Sequence, residues 1–526
     1  MCQHAINRRS FLKFAAGALA ASTLPRRMLQ AAQAAPAAPA VLAKKPRPNI
    51  VFILADDLGY GDVQCLNPKR GKIPTPNIDR FASQGVTFTE SHSGSAVCSP
   101  TRYGVLTGRY SWRVLTAGIV GVYGKPLIAP DRLTVPGLLR ENGYHTACVG
   151  KWHLGWDWPR KGKDVAFDQP IPGGPRARGF DYYFGVDVPN WPPYCWIEND
   201  RLQGNPTEHL GVVGKNINST PGAAMPGWKF EPILPTITDK VCQYIRQQAK
   251  SDKPFFVYFP MTAPHTPLSP TDEWKGKSGL NVYADFVMEV DAMVARVLDT
   301  LDKAGLAENT LVIFTSDNGM APYAGAPELE AKDHYPSGEF RGYKADAWDG
   351  GHHVPFFARW PGVTAPGTTC RQLTCHTDLL ATCAEIVGAR LPDSAGEDSV
   401  SIMPLLRGRD TPIREAVVHH SASGRFAIRQ GKWKLLLCAG SGGWGKPGDA
   451  EAKTQGLPDV QLYDMEADIG ERENLQDKYP ETVAQLTALL QKYADAGRST
   501  PGASRENNVP VDIYKKPRPP AATKPK

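Results

Sequence analysis

Four short apolar runs in this chain end on residues able to do chemistry. Residues 50–54 lead into Asp56 and Asp57, 144–149 into Lys151 and His153, 255–259 towards His265, and 311–314 into Asp317 and Asn318. Three carboxylates in one cleft repel each other unless a cation sits among them. An all-oxygen donor set selects a hard ion, Ca2+ or Mg2+. An Asp-Asp pair after a strand is otherwise the mark of a helix cap or a solvated turn. The second acidic strand end, Asp317-Asn318, favours the metal.

The elements that must position these groups follow from the pattern. Continuous apolar runs of this length predict strands buried on both faces, as in a parallel sheet covered by helices. Helices are predicted over 77–84, 135–142, 235–250 and 283–304. Strands alternating with helices predict an α/β domain whose ligands bind beyond the carboxyl ends of the strands, so the four polar clusters would face one cleft. After about residue 410 the pattern changes. Strands read over 416–420, 426–430, 433–438 and 461–463, followed by one helix over 480–496. This predicts a small antiparallel sheet with a packed helix, an α+β unit. The Pro/Gly-rich stretch 156–227 reads as long loops over the cleft. Gly440-Ser441-Gly442-Gly443-Trp444-Gly445 has the spacing of a nucleotide-binding loop, but Lys446-Pro447-Gly448 follows and no βαβ unit surrounds it, so nucleotide binding is not expected there.

The segment Ala96-Val97-Cys98-Ser99-Pro100-Thr101-Arg102-Tyr103-Gly104-Val105-Leu106-Thr107-Gly108 resembles the signature of the formylglycine-dependent (type I) sulfatases: Cys-x-Pro-x-Arg, an apolar pair, then Thr-Gly. Gly143-Tyr144-His145-Thr146-Ala147-Cys148-Val149-Gly150-Lys151-Trp152-His153 is similar to a second motif of that family. So are Asp56-Asp57, Asp317-Asn318-Gly319, and Gly342-Tyr343-Lys344 leading to Trp348-Asp349-Gly350-Gly351. The resemblance runs in order over about 47–500 and points to the arylsulfatase A-like and N-acetylgalactosamine-6-sulfatase-like bacterial members.

The resemblance implies an alkaline-phosphatase-like α/β fold, a mixed sheet sandwiched by helices, with the small C-terminal α+β subdomain. It implies a sulfuric ester hydrolase in which Cys98 is oxidised to formylglycine by a formylglycine-generating or anaerobic sulfatase-maturating enzyme. One hydroxyl of the hydrated aldehyde attacks sulfur and expels the alcohol. The other then loses its proton, ejecting sulfate and restoring the aldehyde. The implied metal ligands are Asp56, Asp57, Asp317, Asn318 and the oxygen at Cys98, holding Ca2+, with Mg2+ the alternative. Lys151 and Lys344 would bind sulfate oxygens and Arg102 would brace the modified residue. His265, helped by Lys344, would protonate the leaving group, His153 would be the base of the elimination step, and Asp317 would take the proton in the first.

The two ends carry the charge. Of 60 basic residues, five lie in 1–34 and five in 515–526, segments with no acidic residue, which leaves 50 basic against 53 acidic between them. A nucleic-acid binder holds its positive charge on a folded face, so nucleic acid is not an expected partner. Arg8-Arg9, a short apolar stretch and Ala32-Gln33-Ala34 predict a twin-arginine export signal over 1–34, hence the twin-arginine translocase as partner and a periplasmic or secreted protein. The apolar run is far short of the roughly 18 residues that span a bilayer, so no transmembrane segment is expected. A linker is expected over 35–46, a catalytic domain over 47–410, the α+β subdomain over 411–500 and a disordered basic tail over 501–526. Cys370 and Cys375 are close enough to pair, which spacing leaves open.

Trp156, Trp158, Tyr182, Tyr183, Trp191, Tyr194 and Trp196 crowd the loop-rich stretch. They mildly favour a carbohydrate sulfate over an aryl sulfate as substrate, although aromatics so spaced are more often packing residues. His352-His353 would line the subsite or simply lead into a strand. Two rival readings stand beside sulfate-ester hydrolysis: a phosphonate or phosphodiester hydrolase with the same modified residue, and a non-catalytic binder of sulfated glycans.

Overall fold

In the strand Asn49–Asp56 the side chains divide by parity. Ile50, Phe52 and Leu54 enter one apolar core while Val51, Ile53 and Ala55 enter another. The same split holds along Phe255–Pro264 and Thr310–Ser316. A strand with no polar face needs cover on both sides, and helices supply it. The computed structural model describes residues 47–212 and 218–515. Its central sheet has ten strands, in the spatial order Thr368–Cys370, Val86–Phe88, Phe356–Arg359, Thr310–Ser316, Asn49–Asp56, Phe255–Pro264, His145–Lys151, Tyr182–Val186, Ile197–Glu198 and Arg201–Leu202. The five from Thr310–Ser316 to Tyr182–Val186 run parallel, and Phe356–Arg359 turns antiparallel. This is the mixed, helix-sandwiched sheet of the alkaline-phosphatase-like fold.

Helices Pro76–Ser83, Ile233–Gln248 and Val282–Lys303 cover one face. Cys98–Thr107, Val135–Glu141 and Leu379–Val387 cover the other. A separate antiparallel sheet of Val417–His420, Phe426–Gln430, Trp433–Leu436 and Gln461–Asp464 follows, with helix Pro480–Ala496. Two apolar clusters join it to the rest: Trp348 packs with Leu436 and Tyr463, and Tyr110 and Trp112 with Phe426 and Leu490.

Two expectations need correction, and one open point is resolved. The stretch 156–227 is not all loop: Tyr182–Val186 is a fifth parallel strand, missed because Gly185 breaks its apolar run. The chain beyond 501 is not a free tail as far as it is described. Arg109 donates to the side chain of Asn508 at 2.7 Å, Arg113 to Asn507 at 3.0 Å, and Ile513 is buried in the C-terminal core. Buried guanidiniums need acceptors, and a polar segment supplies them. Of the two cysteines near the sheet edge, Cys370 and Cys375 are separate buried thiols. The signal and linker, 1–46, and residues 516–526 lie outside the described residues. Among the described residues no helix is long and apolar enough to cross a membrane.

Candidate active site

The helix Cys98–Thr107 carries the signature cysteine as its first residue. Val97 before it is extended, Pro100 falls in the first turn where its missing N–H costs nothing, and Gly108 closes the helix in the left-handed region at φ 63°. Cys98 therefore sits on the positive end of a helix dipole, which favours a developing negative charge there. Arg102, one turn on, lies on the same helix face.

Asp56 ends one strand with Asp57 just beyond it, and Asp317 and Asn318 follow the neighbouring strand, so the parallel pairing of Ala55 with Ser316 brings the four together. Asp57 N donates to Asp317 Oδ1 at 3.1 Å and Asn318 Nδ2 to Asp57 Oδ1 at 2.7 Å. Asp57 and His153 are non-glycine residues in the left-handed region, φ 66° and 53°. Such backbone costs about 1–2 kcal/mol and is held here by hydrogen bonds, His153 N donating to Asp187 Oδ1 at 3.2 Å.

Three cations answer the carboxylates. Lys151 Nζ lies 2.7 and 3.0 Å from the two Asp56 oxygens. Arg102 is 2.8 Å from Asp317 and 3.2 Å from Asp56. Lys344 Nζ bridges Asp57 Oδ1 and Cys98 Sγ, the latter at 3.4 Å. Burial pushes Asp56 up, but Lys151, His265, Arg102 and Lys344 together outweigh it and hold the carboxyl well below its usual range. Asp317 goes the other way, to about 7, driven by burial and then by Asp56, against Arg102 and Lys151. The three cations match the three carboxylates in number, yet burial and Asp56 still raise Asp317, and a further positive charge beside it would draw it back down. Asp57 Oδ2 and Asn318 Oδ1 are buried without a hydrogen-bond partner among the described residues. Two orphaned oxygens among clustered carboxylate and amide oxygens fit a hard divalent cation.

Above this floor opens a cavity of about 360 Å3, lined by Cys98, His153, His265 and Lys344 among the expected residues. Lys151, Arg102, Asp56, Asp57, Asp317 and Asn318 lie beneath it, each fully or almost fully buried. His153 Nε2 faces the Val120 carbonyl at 3.0 Å, which puts the proton on that nitrogen and leaves Nδ1 an unpartnered acceptor. Burial, then Lys151 and Arg102, hold the ring neutral. His265 Nδ1 faces the Thr266 carbonyl, and its Nε2 lies 3.7 Å from Asp57 Oδ2.

Of the aromatics crowding 156–196, Trp191 alone lines the cavity; Trp156, Trp158, Tyr183 and Tyr194 are buried packing. His352 and His353 do not line it either. His352 stacks on His419 with centroids 3.9 Å apart and planes 10° apart, in a buried group with His92. Lone pairs in parallel stacked planes cannot meet at one ion, so these rings are core. The cavity's outer wall is Tyr323 and Trp444, which sequence reasoning passed over. The glycines around Trp444 serve close approach, not phosphate. A Cβ on Gly443 would stand 2.1 Å from the Ala345 carbonyl oxygen, and Gly445 N donates to Asp346 at 2.7 Å. The loop is thus fastened to the turn that carries Lys344. Asp187 was also missed; it accepts from His153 N and Trp156 Nε1 and steadies the histidine.

A nucleophile position, buried cations and an acidic floor beyond the carboxyl ends of parallel strands define a hydrolase of anionic esters. The sulfatase family profile matches residues 48–389, and the chain belongs to that family. It is 33% identical over 490 residues to an N-acetylgalactosamine-6-O-sulfatase of Bacteroides thetaiotaomicron, covering 85% of this chain and 93% of that protein. It is 32% identical over 444 residues to human arylsulfatase A, covering 81% and 83%. A solved sulfatase structure, from work on the metabolism of multiple glycosaminoglycans by Bacteroides thetaiotaomicron, superposes with a TM-score of 0.75 at 32% identity, covering 85% of this chain and 99% of that one. The chain is a sulfuric ester hydrolase.

Proposed function

We propose that the protein hydrolyses a carbohydrate sulfate ester, with Cys98 converted to formylglycine and a Ca2+ or Mg2+ ion held by Asp56, Asp57, Asp317, Asn318 and the oxygen at position 98. The observation that carries this reading is Lys344 Nζ, 3.4 Å from Cys98 Sγ and bonded to Asp57, in one cavity with His153 and His265. The ion supplies Lewis acidity towards the sulfate oxygens and lowers the pKa of the nucleophile; the hydrated aldehyde supplies an attacking oxygen and an internal route for sulfate release.

The chain's own residues do the rest. Lys344 meets negative charge on the transferring sulfate, and its position is set in advance by Asp57. Arg102 ties the nucleophile helix to Asp56 and Asp317. Lys151 neutralises Asp56 and is a second candidate for the sulfate oxygens. His153, neutral with Nδ1 free, accepts the proton whose loss ejects sulfate. His265, its Nδ1 proton donated to the Thr266 carbonyl, acts on the leaving oxygen as the doubly protonated ring, giving up the Nε2 proton, and Asp317, buried beside the nucleophile helix, is the acceptor for the proton of the nucleophile. A sugar as the alcohol is supported by the aromatic mouth and by the relative named for N-acetylgalactosamine 6-O-sulfate. Export through the twin-arginine route, after maturation by a formylglycine-forming enzyme, completes the proposal.

The experiment is mass spectrometry of the Cys98 peptide together with sulfate release from sulfated monosaccharides. A peptide about 18 Da below the thiol form, with sulfate release abolished but substrate binding kept in Cys98→Ala, is expected. An unmodified, inactive native protein that still binds sulfated glycans would establish the binder. A much higher kcat/KM on an aryl phosphodiester than on the matching sulfate would establish the phosphodiesterase.

A further inference from the structure

Large apolar side chains that stand well exposed are few on the described surface, and three of them, Ile119, Tyr323 and Trp444, line this one cavity. Tyr323 and Trp444 are about half exposed and face each other with ring centroids 5.9 Å apart and planes at 46°, a V-shaped wall. Exposed aromatic surface at a site mouth costs free energy in water unless a ligand covers it. Trp444 is also held. Besides the Gly443 and Gly445 contacts, Ala347 N donates to the Ser441 carbonyl at 2.7 Å and Ser441 Oγ to the Gly445 carbonyl at 2.9 Å. The loop that carries the ring is therefore fixed relative to Lys344, three residues before Ala347.

The lining also includes Asn190, Trp191 and Val188. Asn190 is buried; its Nδ2 donates to the Asn218 carbonyl at 2.8 Å, and its Oδ1 has no partner among the described residues. That oxygen needs a donor from the ligand, a hydroxyl or an amide N–H. Charge is the third constraint. Among the described lining residues Lys344 is the one Lys or Arg, and no Asp or Glu is present. One cation, already engaged at the nucleophile, can meet one sulfate; a second sulfate or a carboxylate on the same ring would find no counter-charge among the described lining residues and would be desolvated against apolar and amide surface.

We infer that Tyr323, Trp444 and Asn190 form the specificity subsite, and that it takes a single pyranose ring bearing one sulfate and no other anionic group, its face on the aromatic wall and a hydroxyl or amide donor on Asn190 Oδ1. This rests on the sulfatase reading above and narrows it. It also gives the loop 440–445, whose glycine pattern resembles a phosphate cradle, the task of carrying a sugar platform.

The test uses full-length mature enzyme with its formylglycine occupancy measured. Sulfate release is compared on a 6-sulfated N-acetylhexosamine, on the same sugar carrying a second sulfate, and on a sulfated uronic acid. The singly sulfated neutral sugar should lead by about tenfold or more in kcat/KM. Trp444→Ala should raise KM for it by about tenfold, Trp444→Phe should recover most of that, and inhibition by inorganic sulfate should keep its strength in both. Disulfated or uronate substrates turned over as well as the neutral one, or an unchanged KM in Trp444→Ala, overturns the subsite while sulfate release persists. Absence of sulfate release from every substrate by modified wild-type enzyme would instead overturn the reading beneath it.

Discussion

Lys344→Ala removes a cation that touches both halves of the site. Lys344 is 3% exposed. Burial alone would lower its pKa, but Asp57, then Cys98, Tyr323 and Asp56 hold it well above its ordinary value, so it is charged throughout any practical assay range. A unit charge developing 3.4 Å from Nζ gains roughly 5 kcal/mol at an effective dielectric of about 20, before the cost of leaving water. Groups of this kind measure about 2.7–4 kcal/mol, so kcat should fall by about 100- to 1,000-fold. The substitution also leaves Asp57 buried with one counter-charge fewer, a loss of about 3–5 kcal/mol in stability, so rates must be read on protein shown to be folded. Two further signs follow. The extra negative charge at Asp57 should strengthen retention of the divalent ion against a chelator, although activity falls. Lys344→Arg, which keeps the charge with a different shape, should lie between the two. The assay is steady-state sulfate release by enzyme of measured formylglycine content. A kcat within about threefold of wild type in fully modified Lys344→Ala would refute the placement of this lysine at the reacting sulfate.

Asp317→Asn should act oppositely on the metal: faster loss of the divalent ion on dialysis against chelator, and at least about a 100-fold fall in activity. Unchanged metal content by elemental analysis would remove Asp317 from the ligand set. Burial alone lowers His376 to about 3. Between about pH 6.5 and 3 the unfolded chain therefore binds a proton that the folded chain refuses, so this contribution to stability is complete above 6.5 and drains as pH falls, by about 2 kcal/mol at pH 5. Urea unfolding at pH 5 and 7.5 should show a shallower pH dependence in His376→Gln, and parallel slopes would contradict it. Asp398 accepts from Arg113 Nε and NH2, both at 2.8 Å, and from Tyr110 N at 2.8 Å. Asp398→Asn should destabilise by about 3–5 kcal/mol with the catalytic cavity untouched, which equilibrium unfolding reads directly. A loss below about 1 kcal/mol would show that the buried pair is not holding the C-terminal segment.

The alternation of strand and helix was legible because each signal is local: short continuous apolar runs, helix breakers and the residues that follow a strand's end. The helices predicted over 77–84, 135–142, 235–250 and 283–304 each lie within two residues of the observed ones. The nucleophile helix was legible as a motif but not as a helix, since Pro100 and Gly104 dilute its apolar pattern. Strand Tyr182–Val186 hid for a related reason, a glycine inside a Pro/Gly-rich stretch.

What the amino-acid sequence determines unaided is the chemistry at the strand ends: which residue is the candidate nucleophile, which carboxylates can share a hard cation, and that the charged termini say nothing of a binding face. Tertiary structure decided the partners and the mouth. Lys151 pairs with Asp56, 95 positions away, beneath the cavity instead of lining it. Asn507 and Asn508 return to Arg113 and Arg109, and Trp444 is brought against Tyr323 by a loop docked on the Lys344 turn. Such pairings depend on how sheets and loops close over hundreds of residues, and no local period or spacing encodes them. Which carboxylate meets which cation, and which aromatic meets the sugar, is settled only when buried charge and exposed ring must each find a partner in one packed structure.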